Sequence, residues 1–196
     1  MDKVARFTAA QRSELFRETA ARRGMSPAVV EKDFWVCWVL KQLFTEPDLK
    51  DRMVFKGGTT LSKVFGLIDR FSEDIDLVLD WQLLGYGAGM EDPFQEFDLS
   101  SKRDRFNKVV NEKAAQYIAG TLIHDLNRIV ARCPQVTAAV DTDDPHTVNI
   151  FYPASFLRGL HSSEGAAGDR TARLVGSIGQ SRDPALRRGG LPKLVH

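Results

Sequence analysis

Phe55-Lys-Gly-Gly-Thr-Thr-Leu-Ser-Lys63, followed by Arg70-Phe-Ser-Glu-Asp-Ile-Asp-Leu77, is the stretch on which the reading of this chain turns. It sets a glycine-rich turn and a short helix ahead of a strand. The strand expectation rests on Ile75, Leu77, Val78 and Leu79, an aliphatic and β-branched run that ends at Asp80 and Trp81. Alternation along a strand sends residues i and i+2 to one face. Asp74 and Asp76 are therefore expected to project together while Ile75, Leu77 and Leu79 enter the core.

Two hard oxygen anions on one face suit Mg²⁺, which takes oxygen ligands at about 2.0–2.1 Å and keeps room for substrate phosphates. Gly57 and Gly58 let the backbone approach a phosphate, and the N–H groups opening the next helix favour negative charge. The pattern describes a nucleoside triphosphate (NTP) held against a metal. An isolated Asp-x-Asp is a weak signal, because charges alternate on any half-buried strand. The preceding Gly57-Gly58-Thr59-Thr60 turn gives it weight. A P-loop is disfavoured, since the Gly-x-x-x-x-Gly-Lys-Ser/Thr spacing is absent and Lys63 stands five residues after Gly58.

The block Phe55 to Leu79 resembles the signature of the AbiEii/AbiGii abortive-infection toxins, nucleotidyltransferases with a DNA polymerase β-like palm. The matching residues are Gly57, Gly58 and Thr59 in the turn, and Leu61 and Lys63 in the helix. Arg70, Ser72, Glu73, Asp74, Ile75, Asp76 and Leu77 match the strand entry, and Glu31, Lys32 and Asp33 an upstream helix. The similarity runs from about Ser26 to Tyr152. It implies transfer of a nucleotide from an NTP to an acceptor such as tRNA, with Asp74 and Asp76 as catalytic Mg²⁺ ligands. Such schemes place two ions about 3.5–4 Å apart on the attacking and leaving oxygens. By the same resemblance Gly57, Gly58, Thr59 and Ser72 would contact the triphosphate, and a cognate antitoxin would be a partner. Lys63 and Arg70 either neutralise phosphate or are ordinary solvated cations. Glu73 is expected to turn away from its acidic neighbours.

Palm-type transferases complete the metal cage with a third carboxylate, which in this family lies in a later Arg-Leu-Glu-Ile-Gly-like strand. The chain contains no such segment. Asp80 shares strand parity with Asp74 and Asp76 but reads as a strand-end charge. From about Leu157 the composition shifts to Gly, Arg, Ser and Ala, and apolar periodicity disappears. Under one allowed codon choice, Leu160 to Leu174 read one nucleotide later spells YIRPKVRLEIGPLA, and Val175 to His196 spells SLVPSANREIQPYAAEAFPNLF. The first contains the missing strand. A single-nucleotide frameshift near Leu157 to Leu160 is the expected cause, and the encoding DNA checks it. The fold class is then α+β: a nucleotidyltransferase palm, a mixed sheet flanked by helices, with N-terminal helices and an irregular C-terminal tail. An incomplete core over 1–156 would precede a non-native, poorly ordered tail over 157–196, and catalysis would be weak or lost.

The chain has 196 residues, 43% of them hydrophobic, enough to bury roughly 70% of its unfolded surface if all of it folds. Lys and Arg number 27 against 26 Asp and Glu, so overall charge gives no argument for nucleic acid. No run approaches the ~20 apolar residues of a membrane span and no signal peptide is recognisable, so a cytoplasmic protein with no membrane partner is expected. Cys37 and Cys133 lie far apart and read as buried thiols.

Thr8 with Gln11 predicts a capped helix to about Arg23, stopped by Gly24. Ser26-Pro27 predicts a second, with Val30, Phe34, Cys37, Trp38 and Phe44 on its apolar face, packed on the palm. Lys32 and Asp33 in it either reach the site or form a charged flank. Gly85 to Asp98 reads as a loop. Ser101 to Leu126 predicts one long helix, with Phe106, Val109, Val110, Ala114, Tyr117, Ile118 and Leu122 buried. Its Lys102, Arg103, Arg105, Lys108 and Lys113 either meet an RNA backbone or form a solvated face. Val136 to Val140 and Thr147 to Tyr152 predict two strands flanking that of Asp74. Three functions remain: a nucleotidyltransferase toxin, a nucleotide- or antitoxin-binding remnant without catalysis, and a decayed fragment.

Overall fold

Thr8 closes a capping box with Gln11: its hydroxyl accepts from the Gln11 N–H at 3.3 Å, and its own N–H donates to Gln11 Oε1 at 3.0 Å. In the computed structural model, which describes residues 1–50, 53–56, 74–87, 95–156 and 171–177, a single turn α1 (Asp2–Ala5) precedes this cap. The cap opens α2 (Ala9–Arg23), which ends at Gly24 with φ of 65°. That left-handed conformation suits glycine and stops the helix as predicted. Pro27 then starts α3 (Pro27–Thr45), followed by the short α4 (Pro47–Lys50).

The strands β1 (Met53–Lys56) and β2 (Asp74–Leu79) come next, then a 3-10 turn over Trp81–Leu84. Helix α5 (Ser100–Tyr117) runs through a π-helical turn at Ile118–Leu122 into α6 (Ile123–Val130). β3 (Thr137–Val140) and β4 (Thr147–Phe151) form a hairpin, and β5 (Thr171–Ser177) follows. The five strands make one mixed sheet in the order β1-β2-β5-β4-β3, with β2 and β5 parallel and the other pairs antiparallel. The protein is thus α+β, as expected.

One face of that sheet is dry. Ile75, Leu77 and Leu79 of β2 and Val148 and Ile150 of β4 pack against Trp35, Trp38, Val39 and Leu43 of α3. Ile118 and Leu122 of the π turn and Leu126 and Ile129 of α6 close the same core. Trp35 is its centre, fully buried, stacked on Tyr152 at 5.4 Å and edge-on to Trp38 at 5.7 Å. Aromatic pairs at such spacing add about 0.5–1.5 kcal/mol each beyond burial. On the far side of α3, Val30 packs with Phe16 and Ala20 of α2.

Four expectations change. Helix α3 buries Trp35, Val36, Val39 and Leu43 besides Val30 and Trp38, while Phe34, Cys37 and Phe44 are only half-buried. It is covered by α2 on one side and the sheet on the other, so a single stripe does not describe it. Of the two cysteines, Cys133 is the buried one. The helix from Ser101 ends its α-helical turns at Tyr117, and Val109 is exposed because the buried ridge runs Phe106, Val110, Ala114 at intervals of four. Finally, the stretch 157–196 is not irregular throughout: residues 171–177 form β5, which separates β4 from β2, so the β3–β4 hairpin does not itself flank β2.

Candidate functional site

The two acids of β2 sit on a strand whose alternation is settled by its core side chains. Ile75, Leu77 and Leu79 are at most 2% exposed on the helix-covered face, and Asp76, on the opposite parity, is half-buried. Asp74 stands two positions before it in the same strand. On the core side the space between β2, the π turn and α6 shrinks to a void of about 10 Å³ lined by Leu77, Leu79, Ile118, Leu122, Leu126, His146 and Val148. That is at the lower limit for one water and the lining is almost wholly apolar. Among the described residues, Asp76 stands on the opposite parity of β2 from this apolar lining.

The register defines what accompanies the acids on that face. Asp76 is paired with Lys56 of β1 on one side and with Val175 of β5 on the other, and Val175 in turn with Thr147 of β4. Asp74 is paired with Arg173, and Arg173 with Asn149. The β4 residues are tied to the acidic turn that joins β3 to β4. Thr147 Oγ1 donates to Asp144 Oδ2 at 2.7 Å, and Asn149 Nδ2 to Asp141 Oδ2 at 2.8 Å. The Thr147 hydroxyl and the His146 N–H hold the Asp144 carboxyl below its ordinary range. Asp80, beyond the strand end, accepts from the Gln82 N–H at 2.9 Å and caps the 3-10 turn, the strand-end role expected of it.

A divalent cage asks for more. Mg²⁺ demands near-octahedral oxygen coordination. The strand positions beside the two aspartates bring a lysine, an arginine and a valine, and no cluster of three or more His, Cys, Asp or Glu exists among the described residues. Strand β5 reads Thr171-Ala-Arg-Leu-Val-Gly-Ser177 and places a valine at the position paired with Asp76. The described residues therefore do not fit a closed metal cage. Gly57, Gly58, Thr59, Lys63, Arg70, Ser72 and Glu73 lie outside the described residues.

Sequence reasoning attached no role to Glu31 beyond its place beside Lys32 and Asp33, which are half-buried on α3. Glu31 is 1% exposed and accepts from the Ser155 and Phe156 N–H groups at 2.7 and 2.9 Å. Burial pushes its carboxyl above the ordinary range, against the pull of those hydrogen bonds. Arg12 of α2, equally buried, donates to the Pro153 carbonyl at 3.2 Å and to the Phe7 carbonyl, and its guanidinium lies 5.8 Å from the Trp35 ring. Together they fasten the chain leaving β4. The only sequence signal for either is a charged residue inside an otherwise apolar helix register.

A larger cavity of about 140 Å³ lies among Asp2, Arg6, Trp38, Gln42, Arg132 and Cys133. Its main charged groups are already matched: Asp2 accepts from Trp38, Lys41 and Gln42, and Arg132 donates to Gln42 and Glu46. On α5, Lys102 pairs with Asp98 at 3.2 Å and the Lys113 ammonium sits 4.1 Å from the Tyr86 ring centre, while Arg103, Arg105 and Lys108 are exposed. Two of the five basic side chains thus have structural partners. No helix among the described residues is long and apolar enough to cross a membrane.

The sequence model of the nucleotidyl transferase AbiEii toxin of type IV toxin–antitoxin systems matches residues 38–173. No curated protein and no solved structure matches the chain.

Proposed function

Since the chain belongs to the AbiEii family of nucleotidyl transferase toxins of type IV toxin–antitoxin systems, we propose that β2 carries the reaction centre of an NTP-dependent nucleotidyltransferase. In this reading the sheet is that of a polymerase-β-like palm, and Asp74 and Asp76 are the carboxylates that face metal and triphosphate. The turn at Gly57, Gly58 and Thr59, with Ser72 and Lys63, receives the phosphates, Mg²⁺ accompanies the NTP, and the acceptor is an RNA such as tRNA. A cognate antitoxin and a cytoplasmic setting belong to the same proposal.

The observation that carries the reading is the position of β2. It is an interior strand of a five-stranded mixed sheet, with Ile75, Leu77 and Leu79 sunk in the core and Asp76 half-buried on the opposite parity. A rigid strand positions a reacting group better than a loop does. The same register favours a second element of the proposal, an impaired enzyme: lysine, arginine and valine beside the acids do not complete a cation site. Such a chain retains nucleotide or antitoxin binding more readily than turnover.

Incorporation of labelled NTPs into RNA, with and without Mg²⁺, tests the reading. Slow, metal-dependent incorporation that Asp74→Ala and Asp76→Ala each abolish supports it. Nucleotide binding without incorporation leaves the binding remnant, and incorporation indifferent to both substitutions removes β2 from the chemistry.

A further inference from the structure

We infer that residue 175 of β5 is the third corner of the β2 carboxylate pair, and that valine there prevents the pair from closing around a divalent cation. The inference rests on the nucleotidyltransferase reading of β2 and deepens it. Its ground is the parallel register, in which Asp76 pairs with Val175 and Asp74 with Arg173. Neighbouring strands run about 4.7–4.9 Å apart, so register partners occupy adjacent positions on one face of the sheet. The other partner of Asp76 is Lys56 of β1.

Charge makes the same point. Among the described residues, the two aspartates are flanked at register positions by two cationic residues and one apolar residue, a set whose formal charges cancel. A dication gains least from such a set, because hard cations are held by the number and charge of their oxygen ligands. Of the three flanking positions, 175 alone is neutral and apolar, and it lies on an interior strand between β2 and β4. A glutamate at 175 supplies the absent oxygen donor and turns the balance of the face negative without removing either cation.

Mn²⁺ is the probe, titrated into the full chain with free ion read by electron paramagnetic resonance. Wild type is expected to take up Mn²⁺ weakly, and Val175→Glu to bind it more tightly by on the order of tenfold, the scale on which changes around a metal move affinity. Val175→Gln, similar in size and uncharged, is expected to gain nothing, and Asp76→Asn added to Val175→Glu to cancel the gain. Tight uptake by wild type overturns the inference, and decides the matter even where the glutamate variant does not fold. No gain in a folded Val175→Glu, with Asp76→Asn still weakening wild type, overturns the role of residue 175 and leaves the β2 carboxylates standing. Uptake that ignores Asp76→Asn in both backgrounds overturns the β2 reading together with it.

Discussion

Glu31 accepts two backbone N–H groups from Ser155 and Phe156 while buried to 1% exposure, which ties α3 to the segment after β4. Removing the acceptor leaves two half-buried donors without it, which costs at most about 1–3 kcal/mol each. Glu31→Ala is therefore expected to lower the urea midpoint without changing its slope. The pH dependence has a definite sign. Burial raises the carboxyl above its unfolded value of 4.5, so its stabilising share is fully present below that value and is lost as pH rises through the folded one. Glu31→Gln cannot titrate. The stability of wild type relative to Glu31→Gln is expected to increase as a solution is acidified from neutral towards pH 4.5; a difference that grows towards alkaline pH contradicts this.

At the scale of elements, β3 is an edge strand among the described residues, and its outer side meets α6. Asn127 of α6 donates through Nδ2 to the Ala138 carbonyl at 3.0 Å and accepts through Oδ1 from the Ala138 N–H at 2.9 Å, reproducing a strand partner. Asn127→Ala is expected to cost roughly 1–3 kcal/mol and, by uncovering the edge, to promote self-association. Urea titration and sedimentation at rising concentration read the two effects. The elements legible in the sequence were those set by local chemistry: the Thr8–Gln11 cap, the Gly24 stop, the Pro27 start and the alternation in β2, β3 and β4. Strand β5 was not legible. Thr171-Ala-Arg-Leu-Val-Gly-Ser177 has no clean alternation and contains glycine, and its strand form comes from pairing on both sides with distant segments. The same holds for the site. The carboxylates of β2 were readable from spacing, whereas Lys56, Arg173 and Val175 beside them follow only from register.

Across the whole molecule, β5 joins two halves of the sheet, β1–β2 on one side and β4–β3 on the other. Ending the chain after Phe156 removes that strand and leaves two separate two-stranded pieces with exposed edges, which are marginal in water. The shortened chain is expected to lose its cooperative thermal transition, whereas an unchanged transition means the helices alone hold the fold. In the proposed reading the same strand also bears on the chemistry, because it supplies one register neighbour to each acid. The most direct test of the account is the rate of NTP incorporation into RNA by wild type, Val175→Glu and Val175→Glu/Asp76→Ala under identical Mg²⁺. The account predicts slow incorporation by wild type, a clear rise with glutamate at 175, and loss of that rise when Asp76 is removed. Equal rates in all three chains would contradict it.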